Sequence, residues 1–432
     1  MSRYPETHVF FRKLRWDYPR IIHGKGSWLF DDAGRAYLDA CGGAFVSNLG
    51  HGVAEIADAM AAQAKKLAYV SGMTLTHEAV ETFSSELVKL APPGLDKVYP
   101  LSSGSDAVEA ALKLARQYWV ESGKPSKHKI VALSPAYHGN TMLALSASAR
   151  EHYKTLYKEW LVDVVRVPAY DADALEHAIS RAGADSIAAF IIEPVGGSST
   201  GALIPPRGYL TRVREICHDD DILFIADEIL VGAGRTGTWS ALEPESVVPD
   251  IQIFGKGIAA GFAPLAVVLA PTRIVDVFAH GSGALVHAQT FSHHAVSCAA
   301  GTATLRYIEK HDLIDRCARM GEQLHARLAD LCGAPHVAAV RGRGLLAGIE
   351  LAEDAATATP FPRSVHFAET LTRAALDEGL IVWPNIGHKN GTDGDLIMLA
   401  PPYTVTEDEI DQIVARLSRA LQQTMKQISV RT

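Results

Sequence analysis

Long apolar runs are missing from this 432-residue chain. No stretch approaches the roughly 18 uncharged apolar residues that crossing a bilayer requires. The opening MSRYPETHVFFRKLRWDYPRII is broken by charges throughout, so it lacks the apolar core of a secretory signal. Cysteine is scarce. Cys41, Cys217, Cys298, Cys317 and Cys332 are scattered and form no C-x-x-C pair, which argues against a disulfide framework or a zinc knuckle. They fit a reducing cytoplasm and read as small buried hydrophobes. A surplus of positive charge is also lacking: the net charge of −8 argues against nucleic acid or an anionic membrane as the main partner. No repeat or low-complexity tract interrupts the chain. What remains is 48% apolar and 21% charged residues, the mix of a globular protein, at a length that calls for two or three domains.

Short apolar runs alternate with helical patterns through the middle. KIVALS (129–134), AAFIIEP (188–194), ILFIADE (222–228), DIQIFG (250–255) and LAVVLA (265–270) read as strands apolar on both faces. Such strands belong in a largely parallel sheet covered on both sides. DALEHAISRAG (173–183) and GYLTRVREICHDD (208–220) carry helical spacing between them. The fold class is α/β, a mostly parallel central sheet wrapped by helices. The tail differs: 301–332 and 364–379 look helical, with 340–351 and 379–384 as strands. The expected division is an N-terminal segment (1–55) packed with a C-terminal α+β domain (315–432), and a large domain (56–314). Two breaker-rich stretches, 353–364 and 385–395, read as mobile or ligand-facing.

Ligands of doubly wound sheets sit beyond the carboxyl ends of strands, and four features fall there. In PLSSGSDAVEAALKLARQYW (100–119), Ser103, Gly104 and Ser105 lead into a helix, whose free N–H groups and dipole make a phosphate cup; an ordinary serine cap is the plainer account. No G-K-[ST] follows, so this is not a P-loop. SPAYHGNT (134–141) puts Tyr137 and His138 at a strand end, where a ring can lie against a flat ligand or simply finish a loop. Asp227 and Glu228 end an apolar strand, a costly place for a carboxylate unless a cation, a protonated ring nitrogen or a helix cap meets it. No metal-ligand spacing surrounds them. Lys256 stands between Gly255 and Gly257, one strand–loop–strand interval later. A lysine desolvated there has a lowered pKa and a free amine for Schiff-base chemistry; a solvated loop lysine is the alternative. Together the four supply a phosphate cup, an aromatic wall, an acid for a heterocyclic nitrogen and an amine for an aldehyde. That is the inventory for pyridoxal 5′-phosphate.

With SSGSDAVEAALKLAR, YHGNT, IIEPVGG, ADEILVGAGRTG, FGKG and TFSHHAVSCAA in this order, the chain resembles the class III (omega) aminotransferases of fold type I (aspartate aminotransferase-like) over almost its whole length. The resemblance implies that Lys256 forms the Schiff base and moves the proton, and that Asp227 partners the pyridinium nitrogen. It implies that Gly104 and Ser105 bind the phosphate, that Tyr137 and Ile229 cover the two ring faces, and that Glu193 has a supporting role near the ring. Thr290 matches a threonine that reaches the phosphate across a dimer interface, so a homodimer with shared sites is expected. Arg235, in the GRTG turn, is given a structural job.

Departures from the family pattern bear on the substrate. Many relatives that use 2-oxoglutarate carry an arginine after His-Gly and a glutamate after the EP; here Asn140 and the run GGSSTG (196–201) stand in those places. Another subgroup has an arginine before LAPP, where this chain offers His388 and Lys389. Asparagine cannot replace a guanidinium fork, which shifts the expectation toward pyruvate, unless an arginine from elsewhere serves. Phe45, Trp16, Tyr18 and Trp28 are candidate pocket walls. Rival readings are a racemase, aminomutase or decarboxylase on the same cofactor. More remote are a nucleotide-binding oxidoreductase, for which no G-x-G-x-x-G follows a first strand, and a non-catalytic binding protein.

Overall fold

The computed structural model describes residues 3–429. An antiparallel meander comes first, from Ile21–Lys25 (β1), Trp28–Asp31 (β2) and Ala36–Asp39 (β3). The central sheet is built from Lys97–Leu101 (β4), Lys129–Ser134 (β5), Val165–Pro168 (β6), Ile187–Ile192 (β7), Leu223–Asp227 (β8), Ile251–Phe254 (β9) and Ala266–Ala270 (β10). Its seven strands run in the order β4-β10-β9-β8-β7-β5-β6. Only β10 opposes its neighbours; the remaining pairings are parallel. Every residue of β7, β8, β9 and β10 is buried.

Strand alternation sends each inner strand's apolar bulk to both faces. Ile191, Ile225, Ile253 and Val268 pack with Ala107, Ala110, Ala111, Leu114 and Ala115 of helix Gly104–Glu121. Val131, Phe190 and Phe224 face the other way, against helices Ala172–Ala182 and Tyr209–Asp219. Each such side chain, fully buried, contributes roughly 1.5–3 kcal/mol. Apolar packing on both sides therefore fixes the strand ends, and the polar groups mounted there inherit that rigidity.

The rest of the chain forms Val337–Arg343 (β11), Leu346–Leu351 (β12), Leu380–Ile381 (β13), Trp383–Ile386 (β14) and Asp395–Leu399 (β15). β11-β12-β15-β14 make an antiparallel sheet, while β13 joins the N-terminal meander beside β3. One core cluster unites Leu38, Leu49 and Ile56 with Leu324, Ile349, Leu371, Leu399 and Ile413.

Several details differ from expectation. β4 and β6 were not anticipated; both are edge strands carrying a proline, which an edge tolerates and a run of β-branched residues does not advertise. The single helix expected over 301–332 is two, Ala295–Lys310 and Leu313–Leu328, parted at Asp312 with φ of +48°. Residues 340–351 are a hairpin rather than one strand. It turns at Gly344, where an added Cβ would lie 2.5 Å from the carbonyl carbon of Thr236. Cys332 is exposed, correcting the expectation that all five cysteines are buried; it sits just beyond the end of an amphipathic helix. Among the described residues no helix is long and apolar enough to cross a membrane.

Candidate active site

β4, β5, β7, β8 and β9 run in one direction, so their carboxyl ends share an edge of the sheet. There a cavity of about 160 Å³ gathers Gly104, Ser105, Tyr137, His138, Glu193, Asp227, Ile229 and Lys256. A larger cavity of about 900 Å³, beside Leu112, Arg116 and Val164, carries none of these groups.

Lys256 leaves β9 with φ of +42°, in the left-handed region that non-glycine residues occupy at a cost. Its neighbours have no side chains because there is no room for them. A Cβ on Gly255 would lie 3.1 Å from Ile229, and one on Gly257 2.9 Å from the Asn48 amide. Burial lowers the Lys256 pKa to about 8, against the opposing pull of Asp227 and Glu193. Its Nζ stands 5.5 Å from the centroid of the Phe45 ring.

Asp227 closes β8, the strand next to β9, and is 4% exposed. One carboxylate oxygen lies 2.8 Å from His138 Nδ1, and the other accepts the Ile229 N–H at 3.1 Å. His138 is fully enclosed; its Nε2 has no partner among the described residues. Glu193, beyond β7, accepts the Tyr137 N–H on one oxygen and the Gly197 N–H on the other, both at 3.1 Å. Burial raises its pKa. Glu228, beside Asp227, turns the opposite way, to Ser240, the Ala241 N–H and Gln252; burial lifts it to about 7.

At the phosphate cup, the Ser103 hydroxyl accepts the Asp106 N–H and donates to its carboxylate, a complete N-cap. Ser105 Oγ accepts the Asn140 N–H at 3.0 Å. A Cβ on Gly104 would strike Ile229 at 2.9 Å. Helix N-terminal N–H groups, a carboxylate at one strand end and an amine at the next fit a flat, phosphorylated heterocyclic aldehyde. The unpartnered, buried His138 nitrogen in the same cavity is the sort of polar atom a bound group satisfies.

The family described as Aminotransferase class-III matches residues 17–421. The chain belongs to the class-III aminotransferases. This aminotransferase is 37% identical over 397 residues to ornithine aminotransferase 1 of Staphylococcus aureus, covering 91% of this chain and 92% of that one. It superposes on the (S)-enantioselective omega-transaminase of Thermomicrobium roseum with a TM-score of 0.92, at 30% identity and 97% coverage of both chains. The omega-transaminase of Pseudomonas jessenii, solved in complex with PMP, gives a TM-score of 0.89 at 28% identity, covering 95% of this chain and 94% of that one. Pyridoxal 5′-phosphate is the cofactor of the family, and fold type I is the architecture of the enzyme.

Two of the residues singled out lie outside the cavity. Ser103 is spent on capping, and Thr290 is exposed in this single chain. Phe45 does stand beside Lys256, tilted against Trp383. The other proposed walls are occupied elsewhere: Trp28 donates to Glu409, Trp16 lies under the Arg373 guanidinium, and Tyr18 stacks on Phe11. Arg235 donates to the Leu345 and Pro401 carbonyls beneath the Tyr403 ring. Sequence reasoning missed Trp383 and Arg150, and reached Asn385 only as the first residue of a ligand-facing loop. Arg150 follows a short helix in a stretch with no motif, and only its place over the Tyr137 ring, 5.0 Å from the centroid, marks it.

Proposed function

We propose that this aminotransferase transfers an amino group from an amine or ω-amino acid to a small keto acid such as pyruvate, using Lys256 as its reactive amine. One observation carries the reading: a desolvated lysine and a buried carboxylate, Asp227, occupy neighbouring strand ends of one cavity. When bound, the cofactor supplies an aldehyde carbon for covalent attachment and a cationic ring that stores an electron pair. Asp227 keeps the ring nitrogen protonated, with His138 holding the carboxylate in position. A lysine with a pKa near 8 is substantially neutral at mildly alkaline pH, so its Nζ can take a proton from the substrate carbon and return it.

Tyr137 and Ile229 cover the ring faces, Gly104 and Ser105 hold the phosphate, and Glu193 fixes the Tyr137 backbone. Thr290 completes the phosphate site from a second copy of the chain. A homodimer is supported by the exposed apolar side chains near it: Val286, Phe291, Tyr69 and Met73 all face outward. The proposed division remains a segment of 1–55, a large domain of 56–314 and a small domain of 315–432. Four buried, unpaired cysteines suit a cytoplasmic enzyme.

A half-reaction tests the proposal. Holoenzyme given ω-amino acids, diamines or simple amines, with no acceptor, should accumulate pyridoxamine phosphate stoichiometrically. Pyruvate should then restore the visible absorbance, and 2-oxoglutarate should restore it more slowly. Turnover of an amino acid without any pyridoxamine phosphate would overturn the reading in favour of racemisation, aminomutation or decarboxylation.

A further inference from the structure

Arg150 is a buried cation near the cavity. It is 8% exposed and forms no ion pair among the described residues. Its Nε donates to Ser199 Oγ at 3.0 Å; its Nη2 donates to Ser198 Oγ at 3.0 Å and to Asn385 Oδ1 at 2.6 Å. These oxygens are all neutral. They aim the guanidinium without cancelling its charge. The guanidinium also lies over two aromatic faces, 5.0 Å from the Tyr137 centroid and 5.6 Å from that of Tyr153.

The other basic side chains of this region are already engaged. Arg341, His388 and Lys389 converge on Glu350, at 2.6, 3.3 and 2.5 Å. Those last two were the sequence's substitutes for a carboxylate-binding arginine, and Glu350 removes both. Arg235 is held by main-chain carbonyls. Glu193, the carboxylate whose field reaches Arg150, has each oxygen on a backbone N–H. Arg12, 5.2 Å from the Tyr153 centroid, is exposed and donates to the Tyr153 hydroxyl.

A buried guanidinium without a counter-charge is costly unless an anion joins it. Tyr137 is a wall shared by Arg150 and the Lys256 cavity, and Arg150 and Lys256 sense each other's charge. We infer that Arg150 receives the carboxylate of the keto acid acceptor, with Ser198, Ser199 and Asn385 holding its fork in place. The run GGSSTG, which lacks the glutamate expected in that loop, here supplies the neutral serines that leave this charge available. The inference rests on the transamination proposed above and names the group that selects the acceptor.

Two readouts test it. In the first, wild type, Arg150→Met and Arg150→Lys are compared for kcat/KM with pyruvate and with an uncharged aliphatic aldehyde as acceptor. The pyruvate-to-aldehyde ratio should fall about 100-fold in Arg150→Met, mostly through KM for pyruvate, with partial recovery in Arg150→Lys. Equal losses on both acceptors would make Arg150 a structural strut and overturn the inference. The second uses propionate, an unreactive carboxylate, titrated into each holoenzyme and followed by the cofactor's visible spectrum. Propionate should bind wild type much more tightly than Arg150→Met. Equal affinity would sink the inference even in a properly folded variant. This second readout needs no amino transfer, so it still decides the matter if the enzyme proves not to be a transaminase.

Discussion

Two charge clusters, one around Glu350 and one around Lys256, are built on opposite rules. Around Glu350, Arg341, His388 and Lys389 surround one carboxylate, and Arg341 also donates to the Thr200 and Gly201 carbonyls. Around Lys256, the amine has no hydrogen bond among the described residues, its backbone sits at φ of +42°, and its carboxylate neighbour Asp227 is turned to a histidine. The first cluster pairs its carboxylate with Arg341 and Lys389 and ties the β12–β15 sheet to the loop after β7. The second leaves the Lys256 amine unpaired on a rigid strand end, which is the condition in which an incoming ligand gains most. Charge satisfaction, more than residue type, separates the structural wall from the reactive one.

The largest effect should come from the unsatisfied cluster. On the function proposed above, Lys256→Ala removes the amine that would hold the cofactor covalently and move the proton, so turnover should drop by about 1000-fold or more. The variant should also lose the visible absorbance of covalently attached cofactor. Steady-state rates and the absorbance spectrum check both, and transamination at wild-type rate would dissolve the contrast between the clusters.

A second, smaller effect concerns pH. The folded pKa of Lys256 is lowered from its ordinary value to about 8, so the neutral amine gains population as pH rises through 8. Attack on an aldehyde needs that neutral amine. Covalent loading of apoenzyme should therefore accelerate about tenfold per unit below pH 8 and level off above it. Stopped-flow absorbance between pH 6 and 10 reads this; a plateau reached only above pH 10 would mean the lysine is solvated like any other.

Much of the reactive cluster was legible because its signals are local. A carboxylate at the end of ILFIADE, a lysine between glycines and a Ser-Gly-Ser helix start each stand out within a few residues, and β-branched runs announce the strands that carry them. Arg150 was not legible. Its meaning depends on Ser198, Ser199 and Asn385, which are 48, 49 and 235 positions away. The same is true of the Glu350 cluster: nothing in VRGRGLLAGIEL announces that its glutamate would silence His388 and Lys389. Pairwise neutralisation across the fold is a tertiary fact. Edge strands β4 and β6, each with a proline in a short run, escaped for a different reason, since their pattern is too weak to distinguish from a loop.

The smallest effect on catalysis, and the sharpest test of the comparison, comes from Glu350→Gln. Removing the negative charge leaves the mostly buried Arg341 without its partner while the exposed Lys389 turns to water, which should cost about 1–2 kcal/mol and lower the melting temperature by a few degrees. The spectrum of bound cofactor should persist, because Glu350 touches no group in the Lys256 cavity. Acid gives an independent check. The His388 contact, with Lys389 and Arg341 behind it, holds the Glu350 carboxyl well below the ordinary glutamate range. A depressed folded pKa contributes stability that is present above the unfolded value of about 4.5 and is lost as pH falls toward the folded one. Wild type should therefore lose its advantage over Glu350→Gln as melting is measured from pH 6 down to pH 4 and below. If the two proteins instead differ by the same amount at every pH, the cluster contributes through packing alone, and the contrast with the lysine cavity is one of shape rather than of charge.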